Sequence, residues 1–160
     1  MNGVSKITVT EDEALVTFNK LPADHKVIAE ILHRFAQEEI NIDMISQTAP
    51  QSEFISFSFT VQGNYLVKVL ELIQAFRESY PAVKPLVSSG NCKIQLYGEE
   101  MRAMYGVAAR AMEAVASVNA DIVIVTTSEI DISFLTTNAC MKEAVTALET
   151  AFACSAVPEE

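Results

Sequence analysis

The sequence has no tryptophan, three cysteines and five glycines, and each scarcity removes a class of function. The glycines stand at 3, 63, 90, 98 and 106, with no two closer than eight residues. A loop that cradles a phosphate needs glycines a few residues apart, so that successive backbone N–H groups can close on the anion. Kinase, nucleotidase and dehydrogenase readings lose that requirement here, and no Gly-x-Ser-x-Gly elbow points to an esterase. Cys92, Cys140 and Cys154 are odd in number and lack C-x-x-C spacing, and neither His25 nor His33 lies near them in sequence, so neither a disulfide framework nor a zinc site is expected. The cysteines read as small buried hydrophobes, His25 as a solvated loop residue and His33 as a helix-surface residue. No metal, no cofactor and no catalytic residue is expected.

Basic residues are also scarce. Eleven Lys+Arg face 21 Asp+Glu, a formal net charge of −10, and residues 111–160 hold eight acids against Lys142 alone. Such a field repels a phosphate backbone, so nucleic acid is excluded as a partner. No apolar run approaches the ~18 residues that span a bilayer, and the opening MNGVSKITVTEDE lacks the basic and apolar regions of a signal peptide, so no membrane association and a cytoplasmic location are expected. Half the residues are hydrophobic and a fifth are charged, the balance of a chain with a buried core.

Periodicity supplies the elements. A strand at 14–20 precedes a helix from about His25 to Glu38, N-capped by Asp24, with Ile28, Ile31, Leu32 and Phe35 at helical spacing. Strands follow at 41–47 and 54–61; the second alternates, with Ile55, Phe57, Phe59 and Val61 on one face. A helix from about Tyr65 to Ser79, capped by Asn64, buries Leu66, Val69, Leu70, Ile73 and Phe76; Pro81 ends it, and 83–87 forms a fourth strand. The order is βαββαβ.

The second half repeats it: strand 93–98, helix about 106–118, strands 120–127 and 130–136, and a helix from about Ala139 to Ala153, capped by Asn138. Val27/Val107, Ala29/Ala109, Ala36/Ala116 and Ile42/Ile122 align at an offset of 80; Ile55/Ile132, Ser56/Ser133 and Phe57/Phe134 at 77; Val69/Val145, Leu72/Leu148, Ala75/Ala151 and Phe76/Phe152 at 76. Offsets that change only in loops point to duplication. The second copy ends at 154–160, too short and polar for a fourth strand, while Ile7–Thr10 is surplus before the first copy. The expected fold is therefore α+β, two ferredoxin-like units with antiparallel sheets and helices on one face, the first (14–88) inserted into the second (1–13 plus 89–160), whose sheet the opening strand completes. Units of about 70 residues bury little area alone, so a dimer is expected.

Two such units carrying Asn41-Ile42-Asp43-Met44-Ile45-Ser46-Gln47 and Thr127-Ser128-Glu129-Ile130-Asp131-Ile132-Ser133 resemble the paired ACT domains at the regulatory end of aspartokinase. Gly98-Glu99-Glu100-Met101-Arg102, followed by Tyr105-Gly106-Val107-Ala108-Ala109-Arg110, is similar to that family's second-repeat loop, with Tyr105 where the family usually has proline. The likeness covers nearly the whole chain, and the family's kinase domain with its Lys-Phe-Gly-Gly opening is absent. The resemblance implies a noncatalytic regulatory module: a small subunit beside a catalytic subunit, an excised regulatory domain, or a free-standing sensor. The alternative is an oligomerisation module whose ligand sites have degenerated.

A free amino acid needs donors for its carboxylate and acceptors for its ammonium. A helix N-terminus supplies donors, and a glycine in the first turn bares the backbone, a role that Gly106 fits. Carried over by resemblance, one effector site draws on Lys26, Ile28 and Gln47, closed by Asn119, Asp121 and Ile122; a second, like the family's lysine pocket, uses Met101, Arg102, Gly106, Ser128 and Glu129, with Glu129 holding a side-chain ammonium. Lysine and threonine are the first candidate effectors. The first site departs from the family pattern: Pro22 is followed by Ala23, Asp24, His25 and Lys26, which places a long cation where bare backbone is expected. Asn119 and Asp121 also suit a plain helix-to-strand turn, and Ser128-Glu129 a solvated connection.

Overall fold

The computed structural model describes residues 2–159. It is an α+β protein with four long helices and antiparallel strand pairs, built as two compact units. One unit comprises residues 12–89; the other comprises the segments up to Glu11 and from Gly90 onward, so the first is inserted in sequence within the second.

The inserted unit contains most of β1 (Lys6–Pro22), then α1 (His25–Gln37), β2 (Asp43–Gln47), β3 (Phe54–Gln62), α2 (Leu66–Ser79) and the start of β4 (Lys84–Tyr97). Antiparallel pairs join β1 to β3 and β3 to β2. Its core is aromatic. Phe18, Phe35, Phe57, Phe59 and Phe76 are all buried, with Phe35 edge-on to Phe59 at 5.0 Å and Phe18 edge-on to Phe76 at 5.5 Å, a geometry that places ring edges on negative ring faces. The helices cover this core because Val27, Ile31 and Phe35 recur on one stripe of α1, and Val69, Ile73 and Phe76 on one stripe of α2.

The other unit contains the end of β4, α3 (Val107–Ser117), β5 (Ile122–Thr127), β6 (Asp131–Thr137), α4 (Asn138–Phe152) and a short β7 (Ala156–Pro158). β6 pairs antiparallel with both β4 and β5. The opening segment belongs here: the Ser5 N–H donates to the Tyr97 carbonyl at 2.8 Å, and Val4 and Ile7 pack in one core with Ile94, Leu96, Phe134, Leu148 and Phe152. Ile7, with no exposed surface, is a core residue of this unit.

Several local expectations are corrected. The strands expected at 7–10 and 14–20 are one strand, β1, and those at 83–87 and 93–98 are one strand, β4. Polar residues at 11–13 and 88–91 suggested breaks, but a strand that leaves one core for another needs no apolar residue between them. Asp12 and Gly90, both left-handed (φ +57° and +72°), lie where each strand changes unit. The tail is not strandless: β7 runs parallel to β1, pairing Ile7 to Ala156 and Val9 to Pro158. Asp24 caps α1 by accepting from the Lys26 N–H, but Asn64 and Asn138 cap nothing. Asn64 lies in a 3₁₀ turn (Gly63–Tyr65) ahead of α2, and Asn138 is itself the first residue of α4. Cys92 is buried as expected, whereas Cys140 and Cys154 are half-buried.

Candidate functional site

Between β4 and α3 the chain makes a 3₁₀ turn over Glu99–Ala103 and then enters the helix through Gly106. Gly98, which leads into the turn, must lack a side chain, since a Cβ there would overlap the Gly3 carbonyl oxygen. The Met101 N–H donates to the Gly98 carbonyl at 3.1 Å and the Met104 N–H to the Met101 carbonyl at 3.1 Å, which fixes the turn. Met101 is driven there by burial, with 9% of its surface exposed.

Gly106 is the N-cap of α3 at φ +82°, ψ 5°, a left-handed conformation that a side chain disfavours. It offers no side-chain acceptor, so among the described residues no side chain caps the first-turn N–H groups of α3. A Cβ on Gly106 would meet nothing within 4 Å, so the glycine is required by its backbone angle and not by close protein packing.

Opposite this helix start is the β5–β6 connection. The Ser128 hydroxyl donates to Asp131 Oδ2 at 2.6 Å and accepts from the Ile130 and Asp131 N–H groups at 3.2 Å each, while the Ser128 N–H donates to the Asp131 carbonyl at 2.9 Å. Ser128 is therefore consumed in holding the loop, and Glu129 projects from it with its side chain 81% exposed.

The turn, the helix start and the loop enclose a hollow of about 440 Å³. Met101, Arg102, Gly106, Ser128 and Glu129 all line it, so five residues separated by up to 28 positions are brought together. Met104, Tyr105, Val107, Ala108, Thr127 and Ile132 complete the wall. Tyr105, expected only as the residue that replaces a proline, is fully exposed. Thr127 and Ile132 had a readable signal, because they face each other across the β5–β6 pair at the base of the loop.

The electrostatics are unbalanced. Arg102 Nε lies 3.7 Å from Glu129 Oε2 and 3.8 Å from Glu99 Oε2, so one cation serves two carboxylates. The Tyr97 hydroxyl donates to Glu99 Oε1 at 2.7 Å, and that bond raises the phenol above its ordinary pKa. The mouth carries a surplus negative charge beside the unpaired donors of a helix start, and such a pair of poles suits a small molecule with one anionic and more than one cationic group.

The other six residues are divided between the units. Lys26 is exposed in the first turn of α1, Ile28 packs against the core of the inserted unit, and Gln47 is exposed at the end of β2, opposite Phe57. In the other unit, Asn119 (φ +51°) and Asp121 make the helix-to-strand turn, where the Thr136 hydroxyl donates to the Asp121 carbonyl at 2.8 Å; Ile122 opens β5 and packs against that unit's core. His25 is exposed, and His33, also exposed, has Nε2 3.1 Å from Gln37 Nε2.

Comparison with known proteins gives a consistent pattern. A family described as ACT domain matches residues 94–152. An aspartate kinase of Stutzerimonas stutzeri is 32% identical over 149 residues, covering 93% of this chain and 36% of that protein. The regulatory subunit of aspartate kinase from Thermus thermophilus superposes with a TM-score of 0.85 at 24% identity, covering 94% of this chain and 99% of that one. A structure of aspartokinase alpha and beta subunits superposes with a TM-score of 0.83 at 28% identity, with 94% and 99% covered. The chain spans about a third of the length of the curated relatives it matches, here 36%.

Proposed function

Because the chain belongs to the aspartokinase regulatory ACT-domain family and is not itself catalytic, we propose that it is an amino-acid-binding module that sets the activity of an aspartokinase catalytic partner. Each unit is one ACT domain, the first inserted within the second, and the functional effector site is the hollow at the start of α3. The observation that carries this reading is the Arg102–Glu129–Glu99 arrangement beside the α3 N-terminus. An α-carboxylate takes the bare N–H groups at Gly106–Ala108, and a side-chain ammonium takes Glu129. The surplus carboxylate favours lysine over threonine, whose side chain carries no charge.

An effector changes the partner only by its difference in affinity for two arrangements of the module; equal affinity shifts nothing, however tight the binding. The proposal does not rest on Lys26, Ile28, Gln47, Asn119, Asp121 or Ile122, which belong to separate units. Lys26 brings a cation to a glycine position, and Asn119 and Asp121 already serve a turn.

Self-association is a second part of the proposal. β5 is a sheet edge with Val123 and Val125 40% and 39% exposed, and an apolar edge strand favours pairing with another copy of the chain. We place the module in the cytoplasm, with its three cysteines as free thiols. A thermal-shift panel of the proteinogenic amino acids tests the sensor reading: lysine should raise the melting temperature most. A flat response to the whole panel would favour the oligomerisation reading.

A further inference from the structure

The inserted unit holds a second charged hollow, of opposite sign. Lys20, Arg77 and Lys84 border a cavity of about 600 Å³ whose remaining wall is Phe54, Pro81, Ala82, Val83 and Pro85, with no acid among the described residues that line it. In a chain with 21 acids and 11 bases, three cations around one hollow without a carboxylate are a concentration of charge against the average. Among the described residues, none of the three side chains makes a salt bridge or a hydrogen bond. Like charges gathered without counterions repel, and an anion in the hollow relieves that repulsion.

The backbone shows the same feature independently. β1 loses register with β3 between Phe18 and Leu21, and Lys20 within that bulge is left-handed at φ +53°. A bulge re-aims a side chain, and a long side chain in this region is held against its own preference. Asn19 is anchored by the Ser56 hydroxyl, which donates to its Oδ1 at 2.8 Å, while Lys20 is free to serve the cavity. Arg77 occupies the last turn of α2 and Lys84 begins β4, so the three cations come from three rigid elements. Phe54, 42% exposed, supplies an aromatic face at the rim.

We propose that this hollow binds a small, multiply charged phosphoryl anion. The net charge of the chain repels an extended polyanion, so the ligand must be compact enough to lie within reach of all three cations. Phosphoryl oxygens are the groups that lysine and arginine pair with most strongly, by charge-assisted hydrogen bonds. A nucleoside polyphosphate and an inorganic polyphosphate share this chemistry; the aromatic rim separates them.

The test is calorimetric titration of the full chain with ATP and, separately, with sodium tripolyphosphate, at constant ionic strength and without divalent cations. The expected result is saturable binding near one per chain for at least one probe, weakened about tenfold or more in K20A/R77A/K84A. Lys84→Glu is the second variant, since it changes one exposed side chain and its fold is checked by circular dichroism; it should weaken binding in the same direction. Phe54→Ala distinguishes the sources: loss for ATP alone assigns a base-bearing ligand, and no loss for either assigns the phosphoryl group alone. No saturable binding of either probe, or unchanged affinity in both charge variants, overturns the proposal. The lysine response is not involved, so failure here leaves the effector site standing.

Discussion

Arg102 and Glu129 approach to 3.7 Å across the mouth of the hollow at the start of α3, and Glu99 lies 3.8 Å from the same guanidinium nitrogen, Nε. The three side chains are 57%, 81% and 64% exposed, so these pairs contribute little to folding. Their value lies in charge balance: one carboxylate can leave Arg102 for a ligand ammonium while the other stays. Glu129, at the tip of a loop locked by Ser128, is the one free to turn to a ligand.

Glu129→Gln should therefore separate binding from stability. We expect lysine affinity to fall about tenfold, equivalent to ~1.4 kcal/mol, while unfolding free energy changes by less than about 1 kcal/mol. Titration calorimetry and urea unfolding of the same preparation check both; intact lysine affinity would remove Glu129 from the site.

Gly106→Ala puts a Cβ on a left-handed residue with φ +82°. The expected cost is about 1 kcal/mol from the backbone alone, since nothing within 4 Å opposes the new atom. Gly106→Asn, which tolerates this region better, should cost less. The larger variant Gly106→Val should abolish a lysine response by filling the approach to the helix start, and unchanged affinity in it would reject the proposed site.

The opening strand can be tested through Ile7, which is wholly buried in the core that includes Ile94 and Phe152. Ile7→Ala should destabilise by roughly 2–4 kcal/mol, and hydrogen exchange should accelerate first in β4, β6 and α4. Faster exchange confined to the inserted unit would contradict the topology.

Thiol chemistry gives a pH-dependent check. Burial, assisted by the nearby Glu11 carboxylate, pushes the Cys92 thiol up to about 11. Cys92 should resist a disulfide reagent at neutral pH until the protein unfolds, whereas half-buried Cys140 and Cys154 react in the folded state. The sign for stability follows: a thiol pKa raised by folding favours the folded state below its unfolded value near 9, and that contribution is lost as the pH rises toward 11. An alkaline melting series should show the loss, and Cys92→Ser should reduce its slope.

Much of this was readable in the chain because the apolar residues alternate or recur at helical spacing over long segments, as in Phe54–Gln62 and His25–Gln37. Gly106 suited a helix start by its residue type, whereas Arg102 and Glu129 were reached only through the family resemblance, because charged residues at loop tips are ordinarily just solvated. The merged strands were not, because Glu11, Asp12 and Glu13 look like a turn unless a second core is known to follow. β7 was hidden for a related reason: three residues carry no period, and they become a strand only through the neighbouring edge of β1. Tyr105 could not be placed either, since its full exposure follows from the fixed turn before it and not from its own preference.

The most direct test of the sensor account is calorimetric titration of the full chain with lysine, repeated with Glu129→Gln. The account predicts saturable lysine binding that weakens about tenfold in the variant, with threonine binding less tightly than lysine. Absence of lysine binding, or binding of equal strength in both proteins, would contradict it.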